Sequence, residues 1–311
     1  MASDLGLAVL LLGLSGWTIA ARDTFAAVVG FIAYGLLLAL VWVRLAAPDV
    51  ALTEAALGSG LTGGLLLAAS TRLRRGETPA LGDKLTATSR LAAAVICILV
   101  AAGVAWVVLL LPEPPPTLAA SAAANMASTG LRNPVTAVLM AYRAIDTLLE
   151  VVVLLVALLG VWSLASDRAW GGFPSLRYRP DPDSPLTFIA QLLVPVGILL
   201  GIHIFWIGSV APGGEFQGAT IIAAMWILTM LAGLADAPAV SRLGLRLLLV
   251  VGPAVFVAIG FIGFVATGVF LGYPPDYAKV MILAIEVPLT LSIAGMLGLL
   301  VAGPPRRRIE R

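Results

Sequence analysis

The sequence predicts an all-α polytopic membrane protein, and three observations support this prediction. Of the 311 residues, 60% are hydrophobic. Only 12% are charged, whereas about 25% of the residues of an ordinary soluble domain are charged. The apolar residues are concentrated in long runs separated by short polar connections, which is the pattern of a chain that crosses a membrane several times.

Nine runs approach the length of about 20 apolar residues that a helix needs to cross the hydrocarbon layer. They cover residues 4–20, 25–44, 50–71, 91–111, 140–165, 186–208, 218–235, 243–271 and 279–302. The eighth run is long enough to be tilted, and Pro253 within it is expected to bend the helix. We therefore expect about nine transmembrane helices.

The basic residues predict the orientation of these helices. With an outward N-terminus, most of the 19 lysines and arginines fall on the inner side. They are Arg22, Arg72, Arg74, Arg75, Lys84, Arg90, Arg168, Arg177, Arg179, Arg242, Arg246, Arg306, Arg307, Arg308 and Arg311. Because cytoplasmic connections are enriched in Lys and Arg, this asymmetry favours an N-terminus outside and a C-terminus inside.

Neither a resident cofactor nor nucleic acid is expected to bind this chain. The sequence has one cysteine, Cys97, and one histidine, His203, too few for a disulfide framework, a haem, an iron–sulfur cluster or an ordinary zinc site. It also lacks a glycine-rich phosphate loop and the spacing of a catalytic triad. The basic loop and tail are interpreted as topology anchors and not as a nucleic-acid surface.

Three charged residues mark the start of the fifth apolar run. Asn133 and Pro134 are predicted to begin this helix as its cap and its first helical residue. Arg143, Asp146 and Glu150 follow at positions i, i+3 and i+7 and are expected on one helix face. A carboxylate in hydrocarbon is costly unless it is paired or neutralised, so these residues are candidates for an ion pathway.

The three residues differ in their expected roles. Arg143 and Asp146 can form an ion pair that holds Asp146 ionised, whereas Glu150 has no such partner on its own helix. Because burial favours the neutral form of a carboxyl group, Glu150 is the residue expected to exchange protons near neutral pH. The alternative interpretation is a buried ion pair that only fixes helix packing.

Two further acids lie in the third run. Asp49 follows Pro48, an arrangement typical of a helix N-terminus, and is either a simple cap or a part of the pathway. Glu54 lies about one and a half turns further along and is expected to act as a relay or to form a packing hydrogen bond. The glycines that follow it allow a close helix contact or a local distortion. They are Gly58, Gly60, Gly63 and Gly64.

The connection between the sixth and seventh runs, residues 209–218, reads SVAPGGEFQG. A tight turn is predicted at Pro212, Gly213 and Gly214, and Phe216 and Gln217 lead into the next helix. Glu215 belongs to the same motif loop. His203, in the helix before this turn, is either a pathway residue or a hydrogen-bonded interior histidine. Glu286, in the last run, precedes Pro288, whose missing amide predicts a polar break at membrane depth and a functional role for the acid.

At these residues the chain resembles the Mrp-type multisubunit cation/proton antiporters. Residues 47–61, APDVALTEAALGSGL, resemble the C-terminal domain of the A-type antiporter subunit, a domain that also occurs as a small separate protein in membrane-bound hydrogenases. Residues 133–164 are similar to the next domain of that A-type protein, whose motif has an Arg, an Asp-Thr pair and a Glu at this spacing. Residues 211–221, APGGEFQGATI, resemble the signature of the B-type antiporter subunit, whose last helix fits the run that contains Glu286.

The resemblance implies three domains. They are a three-helix domain like the C-terminal domain of the A-type protein at residues 1–80, a two-helix domain with the charged motif at residues 81–170, and a four-helix B-type domain at residues 171–311. The polar connections at residues 112–132 and 170–184 suggest instead a division into four, one and four helices. The chain departs from the B-type pattern at Ser209, where a histidine is usual, and at Glu215, where a third turn glycine is usual.

The resemblance implies ion transport and not an enzymatic reaction. It implies a component of an antiporter complex in the prokaryotic cell membrane, surrounded by lipid and other antiporter-like subunits, whose acids contribute to a proton or Na⁺ path. A membrane arm of a ferredoxin-linked hydrogenase or a related redox-driven pump is the alternative, since Glu54 matches an acidic variant associated with such arms. A standalone secondary transporter and a purely structural spacer are further alternatives, and no internal repeat supports the former.

Overall fold

The structure, a computed structural model, describes residues 2–76, 86–114, 116–176, 181 and 183–306, and only the backbone of residues 2 and 71–76. These residues are almost entirely helical, which confirms the predicted fold class. Of the basic residues used to predict the orientation, six lie outside the described residues, and the orientation stays a prediction. They are Lys84, Arg177, Arg179, Arg307, Arg308 and Arg311.

Twelve α-helices follow one another along the described chain. They are α1 (Ala2–Ala20), α2 (Thr24–Arg44), α3 (Pro48–Thr53), α4 (Thr62–Gly76), α5 (Ala87–Leu110), α6 (Ala119–Thr129), α7 (Pro134–Ala137), α8 (Ala144–Ser163), α9 (Pro185–Ile207), α10 (Glu215–Leu231), α11 (Leu243–Thr267) and α12 (Ala278–Ala302). Two π-helical segments are inserted among them, Glu54–Leu61 between α3 and α4 and Val138–Tyr142 after α7. A single 3₁₀ turn, Asp167–Ala169, follows α8.

Among the described residues, eight helical spans are long and apolar enough to cross a membrane. They are Ser3–Ala20, Thr24–Arg44, Pro48–Ser70, Ala87–Leu110, Ala144–Ser163, Pro185–Ile207, Leu243–Thr267 and Ala278–Ala302. The remaining predicted run, residues 218–235, corresponds to α10, an apolar helix of 17 residues. The multi-pass prediction is therefore confirmed, with one span shorter than the others.

The last helix, α12, lies at the centre of the packing. Its fully buried side chains include Ile282, Ile285, Leu289 and Ile293. Helices α10 and α11 both pack against it, and α8 packs against α11 and α12. This arrangement places the charged start of α8 beside the polar positions of α10 and α12.

The first helices form a second layer. Helix α1 pairs with α2, and α2 packs against the span built from α3, the π segment Glu54–Leu61 and α4. The same π segment contacts α10, which joins the two layers. Helix α5, in contrast, has no buried residue.

Two membrane-spanning helices, α11 and α12, continue through an internal proline. Near Pro253 in α11, the Ser292 hydroxyl accepts a hydrogen bond from the Gly252 amide at 2.9 Å and donates one to the Leu248 carbonyl at 2.6 Å. A side chain that bridges such a ladder pair is a recognised cause of helix bending. Helix α12 runs unbroken through Pro288, so the expected polar break is limited to the missing amide.

A short antiparallel pair closes one end of the molecule. Strand β1 (Phe173–Pro174), in the connection after α8, pairs with β2 (Pro305–Arg306), which follows α12. The Leu176 amide also donates to the Ala302 carbonyl at 3.0 Å. The connection between α8 and α9 is thus held against the end of the central helix.

Candidate functional site

Asp49 joins three separate parts of the chain. Its carboxylate is buried, with 6% of the residue exposed, and accepts hydrogen bonds from Asn133 Nδ2 at 3.2 Å and from the Gly213 amide at 3.0 Å. A neighbouring contact runs from Gln217 Nε2 to the Thr53 hydroxyl at 3.0 Å. The N-cap of α3 is Ala47, so the interpretation of Asp49 as a simple cap is wrong.

Asn133 is the second member of this junction. Its side-chain oxygen accepts from the Val135 amide at 2.9 Å and Pro134 begins α7, which confirms the predicted helix start. Its Nδ2 also donates to the Ala211 carbonyl at 3.0 Å. One turn on, the Thr136 hydroxyl donates to the Gly208 carbonyl at 2.7 Å. The turn before α10 is therefore fixed by both α3 and α7.

The predicted glycine turn is present and sets the start of α10. Gly213 and Gly214 have φ angles of 146° and 145°, a region that residues with a side chain rarely adopt. A methyl group on Gly213 would overlap the Ile204 carbonyl oxygen. The turn delivers Glu215 as the first residue of α10, where it is buried with 4% of the residue exposed.

Glu215 and Glu286 form the most deeply buried acidic pair in the described chain. Glu286 lies on α12 with 2% of the residue exposed, and its carboxyl group is within hydrogen-bonding distance of that of Glu215. An ionised carboxylate only accepts hydrogen bonds, and two adjacent carboxylates resist ionising together. A hydrogen bond between the two groups therefore requires one proton.

Glu150 lies at the outer end of this pair. It is close enough to Glu215 for the two carboxyl groups to interact electrostatically. Unlike Glu215 and Glu286, it is exposed on the surface of the chain. The three acids thus lead from the surface of α8 to the centre of the α10–α12 packing.

Arg143 and Asp146 form the predicted ion pair, with 2.6 Å between Nε and Oδ2. Both side chains are exposed, by 70% and 47%, so the alternative of a buried ion pair is wrong for this chain on its own. Arg143 has φ −131° and ψ 34° and lies between the π segment and α8. The prediction of one continuous helix face for all three charged residues is therefore wrong at Arg143, and only Asp146 and Glu150 lie on α8.

Tyr273 lies in the connection before α12, close enough to Glu286 for the two groups to interact electrostatically. Its hydroxyl oxygen is buried and has no hydrogen-bond partner among the described residues. Burial raises the pKa of this phenol, and the nearby Glu286 carboxyl group raises it further. Tyr273 also lines a cavity of about 510 Å³ together with Thr129, Arg143 and Gly272, so the buried pair lies close to an open space.

Glu54 is the first residue of the π segment, as the glycine-rich sequence allows. It is half-buried, and its Oε1 lies over Gly58 and 3.2 Å from where a Cβ on Gly35 would stand. The expected close contact between helices is therefore present, between this segment and α2. The structure does not bring Glu54 into contact with the pair formed by Glu215 and Glu286.

His203 lies apart from the other site residues. It is exposed on α9, two residues from Gly201, whose face packs against Gly218 of α10. Two residues are about 200° around a helix, so His203 points away from that contact. The interpretation of His203 as a hydrogen-bonded interior residue is wrong.

Two members of this site are not given a pathway role by the sequence. Glu215 is identified only as part of the turn motif, although an acid at a position that usually holds glycine is a signal that could have found it. Tyr273 carries no such signal, because a tyrosine near a helix end is ordinary in a membrane protein. Its role depends on contacts that the fold creates.

Two family models match the chain. Residues 9–75 match the model of MbhD, a component of MBH. Residues 185–304 match a domain related to the MnhB subunit of Na⁺/H⁺ antiporters. The first of these regions contains Asp49 and Glu54, and the second contains Glu215 and Glu286.

One curated relative and two solved structures are similar to the chain. The uncharacterized protein MJ1307 of Methanocaldococcus jannaschii is 33% identical over 120 residues, which cover 34% of this chain and 46% of that protein. The Mrp complex from Dietzia sp. DQ12-45-1b contains a chain that is 27% identical with a TM-score of 0.74, covering 100% of this chain and 36% of that one. This chain therefore spans less than half the length of both relatives.

The second solved structure is the membrane-bound sulfane sulfur reductase, an archaeal respiratory membrane complex. A chain in it is 25% identical with a TM-score of 0.53, and the match covers 68% of this chain and 98% of that chain. One of the two complexes is thus an Mrp complex and the other is a reductase. The matched helical architecture therefore occurs in both kinds of membrane assembly.

Proposed function

We propose that this chain, a fusion protein of the Mrp-type antiporter family in which an MbhD domain precedes an MnhB-related domain, is a membrane subunit of a multisubunit cation/proton antiporter. It lines part of the proton or Na⁺ path and has other antiporter-like membrane subunits as partners. It catalyses no reaction of its own and needs no resident cofactor. In this proposal, the chain has three domains that contribute to one ion path, namely residues 1–80, 81–170 and 171–311.

The buried pair of Glu215 and Glu286 is the observation that carries this proposal. Two acids that are 4% and 2% exposed, one at the start of the apolar helix α10 and the other within the membrane-spanning helix α12, are costly to bury for packing alone. They require a proton between them, and Glu150 gives the pair access to the surface of the chain. A site that holds one proton and is open at a neighbouring acid is suited to accepting and releasing protons.

The remaining predicted residues have supporting roles. Arg143 and Asp146 form an ion pair on the same part of the chain as Glu150. This pair tunes the electrostatic environment of the Glu150 carboxyl group. Glu54 serves as a relay in the first domain. Asp49 acts by joining the three domains, and its bonds to Asn133 and Gly213 keep Glu215 in place. For His203, whose side chain is exposed on α9, we propose no step in the path.

A redox-driven pump is the second candidate. The match of residues 9–75 to the MbhD component of MBH and the similarity to the sulfane sulfur reductase complex favour it. The chain itself would have the same role in both cases, because the acids that it contributes are the same. The two candidates differ in the partner subunits.

The experiment that tests the proposal isolates the chain with its partners. The chain is tagged, extracted in mild detergent, and its copurifying subunits are identified by mass spectrometry, while vesicles with and without the chain are assayed for Na⁺-driven proton movement. Copurification of several antiporter-like subunits and loss of exchange without the chain are expected. Copurification of metal-cluster subunits would favour the redox-driven pump, and a chain that purifies alone and exchanges ions in liposomes would overturn both.

A further inference from the structure

One face of α8 points away from the rest of the chain and is built in an unusual way. Five exposed residues follow one another along it at alternating steps of four and three positions. They are Asp146, Glu150, Val153, Ala157 and Gly160. This spacing places them on one helix face. We call these five residues the outer stripe of α8.

The inner face of α8 is already used for packing within the chain. Ala144, Leu148, Val151 and Leu158 are buried there against the core. Beside the outer stripe, α8 exposes large apolar residues such as Leu149 and Val156, which suit contact with lipid. The outer stripe instead has two acids at one end and two small residues at the other.

The small residues of the outer stripe have no role in the packing of this chain. A Cβ on Gly160 would meet no atom within 4 Å, and Ala157 is exposed. Small residues at a membrane helix surface let a second helix approach closely. Ala157 and Gly160 therefore leave room for a second helix to approach α8 closely.

Glu150 is the acid of the outer stripe that lacks a cation among the described residues. Arg143 is held by Asp146 at 2.6 Å, and no described basic side chain forms an ion pair with Glu150. The charged or titratable groups behind it are Glu215 and, deeper, Glu286 and Tyr273, so the chain surrounds Glu150 with further acidic groups. An acid at this depth is costly unless another chain supplies its partner.

We propose that the outer stripe of α8 is the docking surface for a transmembrane helix of another subunit that carries a basic side chain at the level of Glu150. A second copy of this chain does not fit, because it would bring the same acids against one another. The inference rests on the proposed function only in assuming that partner subunits exist. It adds the surface on which one of them docks and the charge that it carries.

Crosslinking in native membranes tests this inference without measuring transport. A photoreactive amino acid replaces Val153, which is 66% exposed in the outer stripe, or, as a matched control, Val196, which is 58% exposed on α9. We expect the Val153 probe to crosslink to one helix of another subunit with a Lys, Arg or His within one turn of the crosslinked residue, and the Val196 probe not to label that helix. Crosslinks from Val153 only to lipid, to a second copy of this chain, or to a helix without a basic residue would each overturn the proposal.

A charge exchange provides the second test. Glu150→Gln is expected to lower the Val153 crosslink about tenfold, which corresponds to about 1.4 kcal/mol, whereas Asp276→Asn, which removes an exposed acid in the connection before α12, should leave it unchanged. Glu150→Lys combined with Asp at the identified basic position should restore the crosslink. If Glu150→Gln abolishes transport while the crosslink stays at its original level, the proposed function stands and the docking inference is wrong.

Discussion

The carboxylate of Asp49 accepts a hydrogen bond from the backbone amide of Gly213 at 3.0 Å, across a separation of 164 residues. The same Oδ1 accepts from Asn133 Nδ2. One buried carboxylate thus connects the start of α3, the start of α7 and the turn before α10. Since Glu215 follows that turn directly, the position of the buried acidic pair depends on Asp49.

Asp49→Ala is expected to destabilise the protein by about 1–3 kcal/mol, because it leaves the buried Gly213 amide without its acceptor. Thermal unfolding in detergent, followed by the loss of the monodisperse elution peak, measures the change. The matched control is Asp276→Ala, which truncates an exposed acid and should leave the melting temperature unchanged. An equal melting temperature for both variants would show that Asp49 does not hold the junction.

Gly213→Ala is expected to destabilise the protein by about 1–3 kcal/mol, because the new methyl group meets the Ile204 carbonyl and φ stays positive. Gly103→Ala is the control, since a Cβ there meets no atom within 4 Å. The same thermal assay applies. A Gly213→Ala protein as stable as Gly103→Ala would mean that the turn relaxes to another conformation.

Tyr273→Phe is expected to slow proton-coupled exchange about tenfold, the effect of about 1.4 kcal/mol on a barrier, with no loss of stability. Burial raises the pKa of this phenol, so the hydroxyl stays protonated at neutral pH and keeps a proton free to donate near Glu286. The variant removes a buried hydroxyl that has no partner among the described residues, so folding should be unaffected. Exchange in vesicles is compared with that of Tyr277→Phe, an exposed tyrosine in the same connection. Equal rates for the two variants would remove Tyr273 from the path.

The helices could be predicted because the length of an apolar run decides whether a segment crosses the membrane. The start of α7 and the turn at Gly213 could also be predicted, since Asn-Pro and Pro-Gly-Gly act through local backbone preferences. The start of α10 could not, because Glu215 is polar and the apolar pattern begins only after it. The irregular backbone at Arg143 could not be predicted either, because the spacing of Arg143, Asp146 and Glu150 fits a continuous helix.

The partners of the acids could not be predicted from the sequence. The spacing of Arg143 and Asp146 predicts their pairing because both are near neighbours, and the pair is present. The bonds of Asp49 and the contact between Glu215 and Glu286 join distant segments, and no local pattern specifies which helices pack together.

Proton-coupled exchange in membrane vesicles that contain the full complex, with Glu215→Gln or Glu286→Gln, tests the central claim most directly. Glutamine keeps the shape and the hydrogen bond of the pair but cannot take up and release the shared proton. We predict that each variant assembles normally and exchanges ions at least about tenfold more slowly, whereas Asp276→Asn keeps the original rate. Exchange at the original rate in the Glu215→Gln complex would contradict the account.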